Sequence, residues 1–218
     1  RFNKMLKFLV IRHGQTHSNV EKRFSGHQDV SLTDEGIWQA QQISNRLSQF
    51  RIDAVYSSDL ERSIHTAKII LQNHNVPLQI EPDFRELSFG DWEGLRFEEI
   101  DFKKGEKMMD WWDEPEVPLP GGESVFDFHK RISDGLERVI QENNNHDEQK
   151  TIAIVCHGGV ARVMVGIALD IPIRKIWYIK QQSTALNIIR YAKKSVYFVE
   201  SVNDISHLKT EKESTIEK

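Results

Sequence analysis

The hydrophobic pattern along the chain switches between two periods. Leu6 to Ile11 is apolar apart from Lys7. It is short and rich in β-branched and aromatic residues, which predicts a buried strand. A polar loop follows. Ile37, Ala40, Ile43, Leu47 and Phe50 then recur at helical spacing behind Thr33-Asp34-Glu35, an N-cap with acids in the first turn. Ala54-Val55-Tyr56 reads as a short strand. Ile64, Ala67, Ile70 and Leu71 form the apolar face of a second helix, with Asp59 as its candidate cap. Val125, Phe128, Ile132, Leu136 and Val139 mark a long amphipathic helix that exits at Asn143-Asn144-Asn145. Thr151 to Cys156 is the clearest buried strand, and His157-Gly158-Gly159 then opens a helix carrying Val160, Val163, Met164 and Ile167. Ala185 to Arg190 and Val196 to Val202 predict a closing strand pair around Lys193-Lys194.

Strands alternating with helices predict an α/β layered fold. No clean domain boundary and no repeat interrupts it, so residues 1–208 are expected to form a single domain. Residues 87–122 are irregular and are expected to form an insertion over one end of the sheet. The polar tail 209–218 is expected to be disordered.

Composition narrows the function classes. The 218 residues are 39% hydrophobic and 28% charged, with a net charge of −4, so no broad basic field exists for nucleic acid. Anionic ligands must therefore be held by locally clustered arginines. The single cysteine excludes an internal disulfide framework and fits a reducing compartment. The first apolar run is too short to span a membrane and no secretion signal is evident, so a cytoplasmic protein is expected.

Three predicted strands end in reactive side chains. The first delivers Arg12-His13-Gly14, the second leads through Ser57-Ser58 to Arg62, and the third delivers His157. Ligands of open α/β sheets bind beyond the carboxyl ends of the strands, so two arginines and two histidines are expected to converge. Gly14 would let the backbone turn sharply and leave the imidazole open. Each cation–anion pair at about 4 Å is worth roughly 4 kcal/mol at an effective dielectric near 20, before desolvation. Arg12, Arg62 and a protonated His157 would hold a phosphoryl dianion, and the arginines would keep His13 neutral and nucleophilic. Glu86 is the candidate proton donor, since aromatic neighbours and a bound phosphate would favour its protonated form. Glu93, Glu98 and Glu99 are nearby alternatives.

These segments, taken in order, resemble the histidine phosphatase superfamily, in the branch of the cofactor-dependent phosphoglycerate mutases and their phosphatase relatives. The matching runs are Arg12-His13-Gly14-Gln15-Thr16 with Asn19, Phe24-Ser25-Gly26, Leu32-Thr33-Asp34-Glu35-Gly36 with Gln39-Ala40, and Tyr56 to Ser63. The Glu86 segment, Pro120-Gly121-Gly122-Glu123-Ser124 and Val155-Cys156-His157-Gly158-Gly159 complete them. The resemblance runs from Phe8 to about Tyr191. It implies a three-layer α/β/α sandwich on a mixed, mostly parallel sheet, with no metal and no cofactor. It also implies His13 as the phosphorylated nucleophile, Glu86 as general acid, and Arg12, Asn19, Arg62 and His157 as phosphate ligands. Ser25 and Gly26 would line the pocket. Gln15 and Gly158 are further candidate binding positions, with Gln15 and Ser25 either contacting ligand or stabilising the loop.

Within that family the chain leans towards phosphatase. Mutases typically carry Glu-Arg-His-Tyr-Gly where this chain has Glu86-Leu87-Ser88-Phe89-Gly90, and a longer, more basic insertion after it. The expected activity is metal-independent hydrolysis of a small phosphomonoester, without nucleic-acid or membrane partners. Nothing in the sequence specifies an oligomeric state. A cofactor-dependent mutase is the first alternative. A cysteine-dependent phosphatase is another, because Cys156 and Arg162 satisfy Cys-x5-Arg between a strand and a helix. A non-catalytic interaction module is the last. His13 and His17 share a metal-pair spacing, but Gly14 argues against a helix there. His65, His74, His129 and His146 read as surface or partly buried. Met108, Met109, Trp111 and Trp112 are candidates either for the core of the insertion or for an apolar wall at the substrate mouth.

Overall fold

A computed structural model describes residues 5–100, 113–144, 149–192 and 195–209. Its elements are β1 (Leu6–Arg12), α1 (His17–Glu21), α2 (Asp34–Leu47), β2 (Ala54–Ser57), α3 (Glu61–Leu71) and β3 (Leu78–Ile80). They continue with α4 (Val125–Asn143), β4 (Lys150–Cys156), α5 (Gly158–Leu169), β5 (Leu186–Ala192) and β6 (Val196–Asp204). The six strands form one sheet in the order β3-β2-β4-β1-β5-β6. β1, β2, β3 and β4 run parallel, while β5 and β6 are antiparallel additions at one side.

β1 and β4 are central neighbours, which explains why their sequences are apolar throughout: both faces are covered. Phe8, Val10, Ile152 and Ile154 pack on one side with Phe128, Ile132 and Leu136 of α4 and Val160 and Val163 of α5. Leu9, Ile11, Ala153 and Val155 pack on the other with Ile43 and Leu47 of α2 and Ala67 and Ile70 of α3. The result is the three-layer α/β/α sandwich with a mostly parallel mixed sheet. Among the described residues no helix is long and apolar enough to cross a membrane.

Two elements carry too little hydrophobic signal to be read from sequence. The loop after β1 contains α1, five residues with none buried, started by a Thr16–Asn19 capping box. β3 is three residues at the sheet edge, with no buried member. Asp59 does not cap α3. Its N-cap is Leu60, which makes no side-chain cap, because the Asp59 carboxylate is taken by Arg85 at 2.7 Å. The described parts of the 87–122 stretch contain single 3-10 turns at Gly90–Trp92 and Phe97–Glu99, and Trp92, Ile100 and Leu119 reach the core beneath. Met108, Met109, Trp111, Trp112, Lys193, Lys194, His146 and residues 210–218 lie outside the described residues.

Gly14 serves close approach and does not need a left-handed turn, since its φ is not among the positive ones. A Cβ at Gly14 would collide with the Gly36 carbonyl oxygen, and one at Gly36 with the Gln15 carbonyl oxygen. The loop bearing His13 is thereby pressed against the first turn of α2. Gly36 offers a sign test. An alanine in a helix normally gains about 1 kcal/mol over glycine, but overpacking against backbone costs roughly 1–3 kcal/mol. Gly36→Ala is expected to lower the urea midpoint; a rise would disprove the crowding.

Candidate active site

Register places the two histidines. Arg12 pairs opposite Cys156 in the β1–β4 ladder, so His13 and His157 leave the sheet side by side. The His13 N–H donates to the Cys156 carbonyl at 2.9 Å, and the two rings lie edge to face with centroids 5.2 Å apart. β2 ends next to β4, and the Ser58 N–H donates to the Val155 carbonyl. This brings the Ser58 hydroxyl to 2.7 Å from His157 Nε2. Arg62 follows in the first turn of α3 and is 1% exposed. The helix dipole disfavours a cation there. Two carbonyls compensate, with one Nη donating to Gln28 O at 2.8 Å and the other to Gly26 O at 2.7 Å.

Arg12, His13, Asn19, Ser25, Gly26, Arg62 and Glu86 line one cleft of about 130 Å³, with Arg23, Phe24 and Phe89 completing its wall. None of these last three was named as a site residue from sequence, although Phe24 and Phe89 fall within the matching runs. The Phe24 and Phe89 rings lie tilted at 46° with centroids 4.8 Å apart, a contact between loops 65 positions apart that no local pattern signals. Asn19 Oδ1 accepts the Thr16 N–H at 3.0 Å, which leaves its amide NH2 to donate into the cleft. His157 lies beneath His13, fully buried. Gly158 packs on Arg12, where a Cβ would stand 3.5 Å from Nε. Gln15 is not among the cleft residues. Its side chain accepts the Thr33 hydroxyl at 3.0 Å and its N–H donates to Gln39, fastening the loop to α2.

The His13 Nδ1–H donates to the Gly14 carbonyl at 2.7 Å. That bond selects the tautomer with its lone pair on Nε2. Burial, then the positive fields of Arg62 and Arg12, hold the His13 pKa well below the ordinary histidine value. Burial, Arg62, His13 and Arg12 do the same for His157, so it is a neutral imidazole and not the protonated ligand expected from sequence. Burial also lowers Arg62, to about 10, which leaves it a cation at neutral pH. Arg12 Nε, Arg62 Nε and His157 Nδ1 are buried without hydrogen-bond partners. An unpaired buried polar group costs roughly 1–3 kcal/mol. An oxyanion in the cleft would satisfy such donors.

Glu86 accepts the Leu87 N–H on Oε1 at 2.9 Å and the Gly159 N–H on Oε2 at 3.0 Å. A Cβ at Gly159 would collide with that carboxylate, so the second glycine after His157 makes room for the acid. Among Glu86, Glu93, Glu98 and Glu99, Glu86 alone lines the cleft. Glu93 is occupied by the N–H groups of His27, Gln28 and Phe89. Glu99 accepts from Arg23 and from the Arg96 N–H. Cys156 is fully buried in the core under α4 and α5, and burial pushes its thiol pKa up, away from the thiolate that phosphorus chemistry needs. Arg162 Nε donates to the Ile179 carbonyl. His17 is exposed on α1 while His13 is buried, so the pair does not share a site.

Residues 8–204 match the family model described as histidine phosphatase superfamily (branch 1). The adenosylcobalamin/alpha-ribazole phosphatase of Escherichia coli (strain K12) is 31% identical over 176 residues, covering 80% of this chain and 85% of its own. Phosphoserine phosphatase 1 of Hydrogenobacter thermophilus is 30% identical over 186 residues, covering 85% and 86%. A crystal structure of the alpha-ribazole phosphatase from Shigella flexneri superposes with a TM-score of 0.80 at 28% identity, over 91% of this chain and 96% of that one.

The depressed histidines tie stability to pH. The unfolded chain takes up protons near pH 6.5 that buried His13 and His157 refuse. Their contribution is complete above that pH and is lost as pH falls towards the folded values. His74, His129 and His207 are lowered by burial and act with the same sign. Urea midpoints are expected to drop between pH 7.5 and 5, with a shallower slope in His157→Asn. A midpoint that rises on acidification would contradict this.

Proposed function

The chain belongs to the histidine phosphatase superfamily, branch 1, and on that premise we propose that it hydrolyses small phosphomonoesters through a phosphohistidine at His13. The observation that carries the reading is the free Nε2 lone pair of His13, set in a cleft with the guanidiniums of Arg12 and Arg62. Phosphoryl transfer asks little of a protein beyond positioning and charge stabilisation. In the first step Nε2 attacks phosphorus in line and the bond to the ester oxygen breaks. Arg12, Arg62, Asn19 and His157 hold the equatorial oxygens, and Glu86 gives its proton to the departing alkoxide. In the second step the Glu86 carboxylate takes a proton from water. The resulting oxygen nucleophile cleaves the N–P bond, releasing inorganic phosphate and free His13.

Two relatives named as phosphatases, one of alpha-ribazole and one of phosphoserine, support hydrolysis over mutase chemistry, as does Leu87-Ser88-Phe89 after Glu86. Phe24 and Phe89 at the cleft wall suit an alcohol portion with an apolar face, and Arg23 suits a polar or anionic one.

Under turnover, an alkaline quench followed by mass spectrometry is expected to trap an acid-labile phosphoryl group on His13. Its absence would overturn the reading. His13→Ala is expected to lose about 10³-fold or more in kcat, Glu86→Gln about 10²–10⁴-fold, and Cys156→Ser little. The reverse order would move the chemistry to the thiol. Because His13 stays neutral well below pH 6.5, the acid limb of kcat/KM is expected below that pH. Rates should survive chelators. Turnover of 3-phosphoglycerate to its isomer, outpacing phosphate release when 2,3-bisphosphoglycerate is present, would favour the mutase.

A further inference from the structure

Pro120-Gly121-Gly122-Glu123-Ser124 has no task in the chemistry above. Its glutamate meets Arg131, which projects from the middle of α4. A guanidinium has five N–H donors, and at Arg131 all five are spent. Nε donates to Glu123 Oε2 at 3.0 Å. One Nη donates to the carbonyls of Asp83 and Arg85 at 2.7 and 2.8 Å. The other donates to the Glu86 carbonyl at 2.7 Å and to Glu123 Oε1 at 2.6 Å. The guanidinium also lies 4.9 Å from the centre of the Phe128 ring, one turn back on α4.

Glu123 grips the far side of the same loop, its Oε1 accepting the Ser88 N–H at 2.8 Å. His27 Nε2 lies 2.9 Å from the Glu86 carbonyl oxygen. The backbone is thus held before, at and after Glu86, from α4, from the 120–124 turn and from the 24–28 loop. Glu86 needs such support because it sits on neither a helix nor a strand. Residues on irregular backbone are less accurately placed than those on regular elements unless a second layer of contacts holds them.

We propose that Arg131 and Glu123 are positioning residues that aim the Glu86 carboxyl at the departing oxygen. The inference rests on the proposed role of Glu86 as general acid, and it predicts a signature that a plain folding staple lacks. A misaimed acid harms substrates in proportion to their need for a proton. A weakened fold lowers every rate by the same factor.

The test is kcat/KM for p-nitrophenyl, phenyl and benzyl phosphate, whose leaving groups run from acidic to alkyl. The enzymes are the wild-type chain, Arg131→Met, Glu123→Gln and Glu86→Gln. Arg131→Met keeps the stem and removes every donor. Glu123→Gln carries the test should Arg131→Met fail to fold. Misplacement of a reacting group by about 1 Å costs on the order of 10²-fold. Arg131→Met is therefore expected to lose about that factor on benzyl phosphate, with Glu123→Gln following in direction, and to lose only a few-fold on p-nitrophenyl phosphate. Competitive inhibition by inorganic phosphate should be unchanged in both. A loss uniform across the three esters in the Arg131 and Glu123 variants, with a graded loss in Glu86→Gln, overturns the positioning role and leaves the acid standing. A uniform loss in Glu86→Gln overturns the acid assignment itself.

Discussion

Everything at this site depends on keeping two arginines and two histidines out of water within one small volume. Four cations together would repel one another with little solvent to screen them. The structure resolves this by keeping the imidazoles neutral. Burial is the largest influence on each, and the guanidiniums add to it. The arginines keep their charge because carbonyl oxygens receive them: Gln181 for Arg12, Gly26 and Gln28 for Arg62. The cost of desolvating the guanidiniums is thus partly offset by fixed dipoles, and part of their donor capacity is left over. What remains is a cleft with net positive charge and an unprotonated nitrogen.

Backbone proximity is the second constraint. The parallel pairing of β1 and β4 sets the two histidines side by side, and glycines let other chain segments close around them. Gly14 and Gly36 let the β1 loop touch α2, and Gly159 admits the Glu86 carboxylate. Each of these glycines is required by what lies across from it, which no local pattern reveals.

The legible part of the fold was the part with strong hydrophobic periodicity. β1, β4, α2 and α4 announced themselves because one or both faces are buried and the apolar residues repeat accordingly. α1 and β3 did not, because neither buries a residue. Arg12, His13, Arg62 and Glu86 of the cleft, with His157 beneath them, were readable because each follows a strand end or sits in a dense run of matching motifs. Asp59 was misread as a cap because capping propensity is local, whereas Arg85 reaches it from 26 positions away. Gln15 could be read either as a ligand contact or as a loop stabiliser, and only the fold shows its side chain accepting the Thr33 hydroxyl.

Residue order alone settled the layering and the strand ends at which Arg12, His13 and His157 stand, since periodicity and residue type are properties of short windows. The tautomer of His13, the engagement of Glu93 away from the cleft, the burial of Cys156 and the grip of Arg131 on the Glu86 loop came from packing. Those are outcomes of contacts between segments tens of residues apart, where burial and hydrogen-bond partners, rather than chain neighbours, set what a side chain can do.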